Sequence, residues 1–327
     1  MSNASADPAC PSVAIVTVNT DGAAFMAEFA DSLAAVRYPN YRLIVVDNAS
    51  SDDSLSILQR VHPQAVVLRN DANLGFTGAC NRGLEYCLSR PYDYVLFLNG
   101  DVLLEPDFLQ HLVSSADGKT LTAPKTYLYH QPGHLDDSVG DFDWTRGIWK
   151  HRILGKEPTP EFDRPRIVEN ANLSCLLVPI QALRDVGLLD DSFYIYYDDT
   201  DFVRRARDCG YRIWFEPAAV IQHRKGATIG GQDSAFGLYY LTRNRPYLIR
   251  KHVRSRLRRS VFWAYFLTSR LARIVGLLAH GRRDLAKAII AGFADYWRGR
   301  MGKTVERDNG SSGVAADRSG VKLPEGR

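Results

Sequence analysis

Short apolar runs alternate with amphipathic segments along the first half of the chain. Runs of Val, Ile and Leu predict strands at Val13–Asn19, Arg42–Val46, Ala65–Leu68 and Tyr92–Leu98. Apolar residues at helical spacing between these runs predict helices at Ala23–Val36, Asp53–Val61, Thr77–Leu88 and Pro106–Ser114. Short strands separated by helices form βαβ units. The pattern therefore predicts an α/β fold with a mainly parallel central sheet flanked by helices.

The second half of the chain follows this pattern less regularly. Residues 127–166 are rich in His, Pro, Gly and Asp with weak periodicity, which predicts an irregular loop region. Beyond it we predict strands at Leu173–Val178 and Arg212–Phe215, and helices at Ile180–Val186 and Asp199–Cys209. From Tyr239 to Trp297 the pattern is helical and amphipathic. The predicted units are a disordered N-terminus at 1–11, a body at 12–240, a basic helical segment at 241–303 and a disordered tail at 304–327.

The charge distribution distinguishes the basic segment from the body. The 327 residues carry a formal net charge of +4, and an apolar fraction of 45% is ordinary for a globular protein. Residues 241–303, however, contain sixteen Lys and Arg against two acids, a net charge of +14, whereas residues 1–240 carry −10. Such asymmetry indicates an anionic partner for the basic segment.

Cysteine usage and hydropathy favour a cytoplasmic protein. The five cysteines have no paired spacing, which is typical of reduced thiols. No basic region followed by an apolar run stands at the N-terminus, so we expect no secretion signal. The longest uncharged apolar run near the C-terminus covers residues 260–269, about half of the ~20 residues that span a bilayer. We therefore expect no transmembrane helix.

Within the basic segment, residues Arg250–Lys303 are expected to lie on the inner face of the cytoplasmic membrane without crossing it. Positive charge towards anionic lipid would come from Arg254, Arg258, Arg259, Arg270, Arg273, Arg282 and Arg283. Apolar area would come from Phe262, Trp263, Phe266, Ile274 and Leu278. The alternative is that these apolar residues pack the helices against the body and leave the arginines in solvent.

Polar residues that follow the predicted strands are the first candidates for a binding site. In open parallel sheets, ligands bind outside the carboxyl ends of the strands. Asn19, Asp47, Asn99 and Asp101 occupy such positions. Asp47 suits either a nucleotide contact or a helix N-cap. Asp101 suits either an oxygen ligand for Mg²⁺ or Mn²⁺ or a solvated turn after Gly100.

Two further features suggest catalytic chemistry. Asp198, Asp199 and Asp201 open a predicted helix, where N-terminal capping explains one acid well and three poorly. A carboxylate fixed there can act as a general base towards a substrate hydroxyl. His223 follows the strand-like run AAVIQH, where a metal or phosphate contact competes with an ordinary core or surface histidine.

In their order along the chain, these motifs resemble glycosyltransferase family 2, which has the GT-A fold. The resemblance extends from Val13 to Arg250, through VAIVTVN, VVDNASSDDS, RNDANLGFTGACNRG, LFLNGD, ENANLSCLLVP, VGLLDDSF, YYDDTDF, IQH and YYLTRNR. The N-x-G-F stretch before Asn81 and the Tyr-x-x-Arg-Asn around Arg243 are most similar to bacterial rhamnosyltransferases. A dinucleotide-binding oxidoreductase would instead show G-x-G-x-x-G directly after the first strand, and this chain does not.

The resemblance implies a role for each matching position. Asp199 would be the catalytic base, with Asp198 and Asp201 as supporting acids. Asp101 and His223 would be metal ligands. Contacts to the donor nucleotide would come from Asn19, Asp47, Asn81, Asn99, Asp101 and Arg243. The chain departs from the family pattern at Asn99, where the family has the first D-x-D acid, and at Asp198, where it has glutamate.

The implied activity is an inverting, metal-dependent hexosyl transfer in bacterial cell-surface polysaccharide biosynthesis. A nucleoside diphosphate sugar would be the donor, preferably dTDP-rhamnose, with a UDP-sugar as the alternative. A glycan or lipid-linked molecule would be the acceptor, and Mg²⁺ or Mn²⁺ the cofactor. The alternative from another class is a non-catalytic nucleic-acid-binding protein that uses the basic segment. We do not expect nucleic acid as the partner, because the apolar residues interleaved with the arginines are too many for a phosphate-only surface.

Overall fold

Within residues 10–150, 153–225 and 231–305, which the computed structural model describes, a nine-stranded mixed sheet forms the centre of the fold. The strands are β1 Val13–Asn19, β2 Tyr41–Asp47, β3 Val66–Arg69, β4 Tyr94–Leu98, β5 Val102–Leu104, β6 Thr120–Leu128, β7 Val139–Gly140, β8 Phe142–Asp143, β9 Ile148–Trp149, β10 Arg166–Val168, β11 Asn170–Ala171, β12 Cys175–Pro179 and β13 Arg212–His223. The sheet has the order β10-β13-β6-β12-β4-β1-β2-β3, and β5 pairs with β13. The predicted disordered tails lie almost entirely outside the described residues.

Helices cover both faces of the sheet. They are α1 Ala23–Ala34, α2 Ser54–Val61, α3 Gly75–Leu88, α4 Phe108–Ser114, α5 Ile180–Val186, α6 Asp198–Asp208, α7 Ala235–His252, α8 Arg256–Ala279 and α9 Arg283–Trp297. Alternate residues of a strand point to opposite faces. Accordingly, Ala14 and Val16 of β1 join the apolar cluster that contains α3, whereas Val13 and Ile15 join the cluster that contains α1.

The predicted, mainly parallel core of the sheet is confirmed, and its outer half is mixed. Strands β4, β1, β2 and β3 run parallel to one another. Strand β12 is antiparallel to both neighbours, β4 and β6, while β6 and β13 are parallel. The sheet therefore places the carboxyl ends of β1, β2 and β4 at one edge, where the sequence predicted a ligand.

Strand β6 was not predicted from the sequence. Pro124 and Lys125 interrupt its apolar pattern. Proline is also unfavourable in a central strand, because it has no backbone N–H to donate to a neighbouring strand. The neighbouring strand β13 accommodates these two residues through an irregularity, because its pairing register with β6 shifts between Glu216 and Val220. As a result β13 continues to His223, eight residues beyond the predicted end at Phe215.

Helix α7 crosses the boundary that the sequence predicted between residues 240 and 241. Both sides of that boundary are buried, from Leu238 to Ile249, and α9 packs closely on α7. Gly292 of α9 permits this approach, because a Cβ added there would lie 2.4 Å from the carbonyl oxygen of Tyr239. The basic segment is therefore continuous with the body and not an appendage to it.

Helix α8 exposes more large apolar side chains than its neighbours α7 and α9. By length and composition it could cross a membrane, with a mean hydropathy of 1.3 over its most apolar window, of which 11% is buried. The sequence analysis expected no transmembrane helix because it counted only the uncharged run at residues 260–269. The whole of α8, which includes a few charged residues, is long and apolar enough. Length and composition do not distinguish a membrane-crossing helix from one that lies along a surface.

Substitution of Gly292 by Ala is expected to loosen the contact between α7 and α9. The added methyl group overlaps a backbone oxygen, which cannot move as a side chain can, so we expect a loss of about 1–3 kcal/mol of unfolding free energy. Urea denaturation of the full chain measures this loss. The matched control is Gly276→Ala in α8, where no atom lies within 4 Å of the new Cβ and helix propensity favours Ala. Equal effects of the two substitutions would contradict the packing argument.

Candidate active site

A cleft of about 510 Å³ opens at the carboxyl ends of β1 and β4. The start of α6, the end of β13 and the turn before β12 complete its walls. This is the edge at which ligands bind in open α/β sheets. Of the residues predicted from the sequence, the cleft brings together Asn19, Asn99, Asp101, Asp198, Asp199 and His223.

Asn19 and Asp47 form the end of the β1–β2 pair. They stand opposite each other in the parallel register, and the Asn19 Nδ2 donates to Asp47 Oδ1 at 3.1 Å. The same amide group also donates to the hydroxyls of Ser50 and Ser54. Asp47 is buried and is not among the described residues that line the cleft, so its direct effect is to orient Asn19.

His223 lies between two aspartates. Pairing of β13 with β5 brings His223 beside Val102, and its Nε2 lies 3.5 Å from Oδ1 of Asp101. Its Nδ1 lies 2.8 Å from Oδ2 of Asp136, a carboxylate that is 1% exposed. Burial lowers the pKa of His223, but hydrogen bonds and charges from the two aspartates outweigh burial and raise the pKa to about 9.

Asp136 is a site residue that the sequence analysis missed. Besides His223, it accepts a hydrogen bond from Nζ of Lys225 at 2.6 Å, and Lys225 also lines the cleft. Burial raises the pKa of Asp136, but the contacts with His223 and Lys225 outweigh burial and lower the pKa to about 2. The residue stands in the predicted irregular region, where the sequence offers no periodicity that would place a carboxylate beside β13.

The two predicted metal ligands, Asp101 and His223, lie together and could provide two of the ligands of a divalent cation. Asp101 and His223 are neighbours, while the described residues contain no group of three His, Cys, Asp or Glu side chains placed to hold a metal ion. Mg²⁺ is commonly held by one or two protein ligands together with substrate phosphates and water. Once a cation displaces the Nε2 proton of His223, the donor set fits a cation whose coordination is completed by a diphosphate.

The start of α6 presents two carboxyl groups to the cleft, of which Asp198 is buried and Asp199 is partly buried. Oδ1 of Asp199 accepts from the backbone N of Thr200 at 2.6 Å and from its hydroxyl at 3.1 Å. Burial raises the pKa of Asp199 to about 6, although the Thr200 hydrogen bonds oppose the rise. Burial, and then the charge of Asp199, raise the pKa of Asp198 well above its ordinary value. Asp199 is therefore the member of the pair that is ionised at neutral pH.

The segment 192–197, which we call the tyrosine segment, leads into α6 with an unusual backbone. Tyr194, Tyr196 and Tyr197 have φ values of 65°, 63° and 67°, a left-handed conformation that is costly for large side chains. Gly75, with a φ of 76°, lies against the Tyr194 ring, and an added Cβ would approach that ring to 2.3 Å. Such strain persists only where the surroundings hold it.

Helix α7 holds the tyrosine segment through two buried side chains. Asn244 Nδ2 donates to the carbonyl groups of Phe193 at 2.9 Å, Ile195 at 2.7 Å and Tyr196 at 3.2 Å. The Arg243 guanidinium donates to the carbonyl groups of Ser192 and Phe193. Asn244, which the sequence analysis did not single out, thus positions the backbone that precedes Asp198 and Asp199.

Besides Asp47, the structure places three further predicted site residues outside the cleft. Arg243 is 0% exposed, and its guanidinium is occupied by the tyrosine segment, Gly302 O and the Thr304 hydroxyl. Asn81 is buried and bonds the backbone of Leu189 through both its amide atoms. These placements correct the expectation that Arg243 and Asn81 contact the donor nucleotide, because neither side chain is free to do so.

Asp201 is the third of these residues. Its carboxylate is fully buried and accepts from Arg205 Nε at 2.8 Å and from Lys251 Nζ and His252 Nε2 at 2.7 Å each. These contacts outweigh burial, which raises its pKa, and leave the pKa lowered. Asp201 therefore joins α6 to the end of α7, and it does not face the cleft as a supporting acid.

Residues 12–164 match the family model described as "Glycosyl transferase family 2". Over 240 residues the chain is 25% identical to the N-acetylglucosaminyl-diphospho-decaprenol L-rhamnosyltransferase of Mycobacterium tuberculosis, covering 66% of this chain and 77% of that protein. Over 230 residues it is 23% identical to the dTDP-rhamnosyl transferase RfbF of Shigella flexneri, covering 67% and 74%.

Solved structures share the fold. GalNAc-T7 with UDP, GalNAc and Mn²⁺ superposes with a TM-score of 0.53 at 16% identity, over 65% of this chain but only 43% of that one. The mannosyltransferase PcManGT of Pyrobaculum calidifontis, in complex with GDP-Man and Mn²⁺, superposes with a TM-score of 0.50 at 15% identity, over 89% and 88%. At these identities the likeness establishes a GT-A-like fold, as predicted, and nothing about substrates.

Substitution of Asn244 by Ala is expected to destabilise the tyrosine segment. It removes the donor of three carbonyl groups, two of which have no other partner among the described residues, so we expect a loss of about 2–4 kcal/mol. Urea unfolding measures the loss. Gln110→Ala, which removes an amide from the exposed face of α4, is the control and is expected to change stability by about 0.5 kcal/mol at most. A neutral Asn244→Ala would show that the segment holds its own conformation.

Proposed function

We propose, from the match of residues 12–164 to the glycosyl transferase family 2 model, that the chain is an inverting sugar transferase. Its donor is a nucleoside diphosphate sugar, and its acceptor is the hydroxyl of a glycan or lipid-linked molecule. The observation that carries the proposal is that one cleft brings the carboxyl group of Asp199 together with the pair Asp101 and His223. One carboxylate can take a proton while the other side of the cleft holds a diphosphate.

In the proposed reaction the acceptor oxygen forms a bond to the anomeric carbon as the bond from that carbon to the diphosphate breaks. Asp199 accepts the hydroxyl proton, and the bonding electron pair leaves with the diphosphate. A single displacement inverts the anomeric configuration. Asp101 and His223 would hold a divalent cation, which when bound neutralises charge on the departing diphosphate. Lys225, beside Asp136, adds positive charge to the same wall of the cleft.

The preferred donor is dTDP-rhamnose, with a UDP-sugar as the alternative. Support comes from two relatives, a dTDP-rhamnosyl transferase and an N-acetylglucosaminyl-diphospho-decaprenol L-rhamnosyltransferase. The second name also favours a lipid-linked acceptor, in keeping with cell-surface polysaccharide biosynthesis. The proposed place of action is therefore the inner face of the cytoplasmic membrane, where such an acceptor is embedded and where the basic segment meets anionic lipid.

Replacement of Asp199 by Asn tests the assignment of the base. Because an amide cannot accept the proton, we expect turnover to fall by about 10²–10⁴-fold, with donor affinity within a few-fold of the wild type. Diphosphate release from dTDP-rhamnose and a panel of UDP-sugars measures turnover, and calorimetry measures donor binding. Asp208→Asn, at the exposed end of the same helix, is the matched control.

The same assay yields a pH profile. Since the pKa of Asp199 is raised to about 6, its carboxyl group is protonated below that pH, so turnover should fall as the pH drops through 6 and level off above it. A well-folded Asp199→Asn protein with wild-type turnover would remove Asp199 from the mechanism. A sugar panel without any diphosphate release would argue against the transferase itself.

Removal of the cation tests the second wall of the cleft. EDTA should abolish turnover, and added Mn²⁺ or Mg²⁺ should restore it, because Asp101 and His223 alone give the diphosphate no divalent charge. Asp101→Ala should weaken the Mn²⁺-dependent binding of dTDP by at least about tenfold in calorimetry. The control Asp107→Ala removes only an exposed ion pair with Arg37. Full turnover in EDTA would show that this cleft works without a metal.

A further inference from the structure

Helix α8 has an inner and an outer face of different kinds. Phe262 and Phe266 are 0% exposed and pack against Ile249 and Val253, and Trp263 packs partly buried beside them. This corrects the expectation that the aromatic residues of α8 provide contact area for a membrane. As in the alternative of packing against the body, these side chains hold α8 against α7.

The outer face of α8 carries a different set of apolar residues, which we call the outer stripe. Leu257 is 75% exposed, Leu271 63% and Val275 58%. At about 100° per residue these positions fall on one side of the helix, opposite Phe262 and Phe266. The outer stripe consists of Leu257, Val261, Leu267, Leu271, Val275 and Leu278. A continuous exposed apolar face of this length is typical of a surface that has a partner.

A basic pocket of about 520 Å³ adjoins the start of the outer stripe. Its charged and polar lining includes Arg204, Lys251, His252, Arg254 and Arg258, with Asp208 as the acid. Arg204 pairs with Asp208, and Lys251 and His252 pair with Asp201. In the described part of the chain, Arg254 and Arg258 have neither an ion pair nor a side-chain hydrogen bond. The pocket therefore holds two uncompensated guanidinium groups.

The two guanidinium groups without a partner are the donors that the basic pocket offers to a ligand. Guanidinium groups bind phosphate oxygens in a bidentate manner. The donors of the basic pocket thus match a phosphate group.

We infer that the basic pocket binds the phosphate of an anionic phospholipid head group while the outer stripe lies among the acyl chains. The outer stripe begins at Leu257, directly before Arg258 of the pocket in the chain, and this favours a lipid over free phosphate because one helix carries both the charged and the apolar surface. This inference rests on the proposed membrane location and not on the transferred sugar. It makes α8 a helix that lies along the surface with its inner face on the protein.

Binding of the full-length protein to vesicles tests the inference without any turnover. The wild type should prefer mixed phosphatidylglycerol–phosphatidylcholine vesicles over pure phosphatidylcholine by at least about tenfold at low salt. Arg254→Gln/Arg258→Gln should weaken that binding by about thirty-fold, a factor of about five for each basic residue at an anionic surface. Leu271→Ser/Val275→Ser should weaken it by about tenfold through lost apolar area.

The matched control is Arg60→Gln/Arg184→Gln. It removes the same charge from two exposed arginines of α2 and α5, which pair with no described residue and lie outside the pocket. We expect its vesicle binding to stay within about twofold of the wild type, and diphosphate release by the Arg254→Gln/Arg258→Gln protein to be unchanged with a soluble acceptor.

Several results would overturn the inference. One is a wild type without preference for anionic vesicles, including the case in which the outer stripe instead joins two copies of the chain. Others are wild-type binding by the pocket variant, or an equal loss in the control. If inorganic phosphate raised the melting temperature of the wild type but not of the pocket variant, while vesicles stayed unbound, the ligand would be free phosphate and not lipid.

Discussion

The carbonyl groups of residues 192–196 require hydrogen-bond donors in the protein interior, and the rest of the site depends on how they are supplied. Arg243 and Asn244 of α7 bond most of them, and the backbone of Phe76 and Thr77 in α3 bonds Tyr194. With these donors in place, the tyrosine segment can keep its left-handed backbone and deliver the start of α6 into the cleft. Without them, the backbone strain at three tyrosines and the carbonyl groups left without donors would both destabilise the segment.

The part of the site that the sequence predicted is the part carried by regular strands. Asn19, Asn99 and Asp101 follow buried parallel strands, and the rule for strand ends is enough to gather them at one edge. Asp199 was found because three acids at a helix start exceed what capping requires. Asp136 could not be found in this way, because its neighbours are set by a long irregular connection and not by any period in the sequence.

Arg243 shows a second limit of sequence reasoning. A basic residue within a motif suggests an anionic ligand, yet backbone carbonyl groups can occupy a guanidinium equally well when the chain folds over it. The same applies to Arg245, which is buried and donates to the carbonyl of Arg146. Part of the +14 charge of the basic segment is therefore internal, and the field at the surface arises from fewer arginines than the sequence suggests. Which arginines remain outside depends on the packing of α7.

The hydrogen bonds that hold the tyrosine segment also determine when the cleft can form during synthesis of the protein. The Arg243 guanidinium donates to the carbonyl of Gly302 and to the hydroxyl of Thr304, and the backbone N–H of Gly302 donates to the carbonyl of Ser192. The ribosome therefore makes Asp199 about 100 residues before the last partners of its supporting segment, a delay of about 5–20 s at translation rates of ~5–20 residues per second. Until then a nascent chain lacks the last hydrogen-bond partners of Arg243, so the cleft can be finished only after residue 304 has left the ribosome.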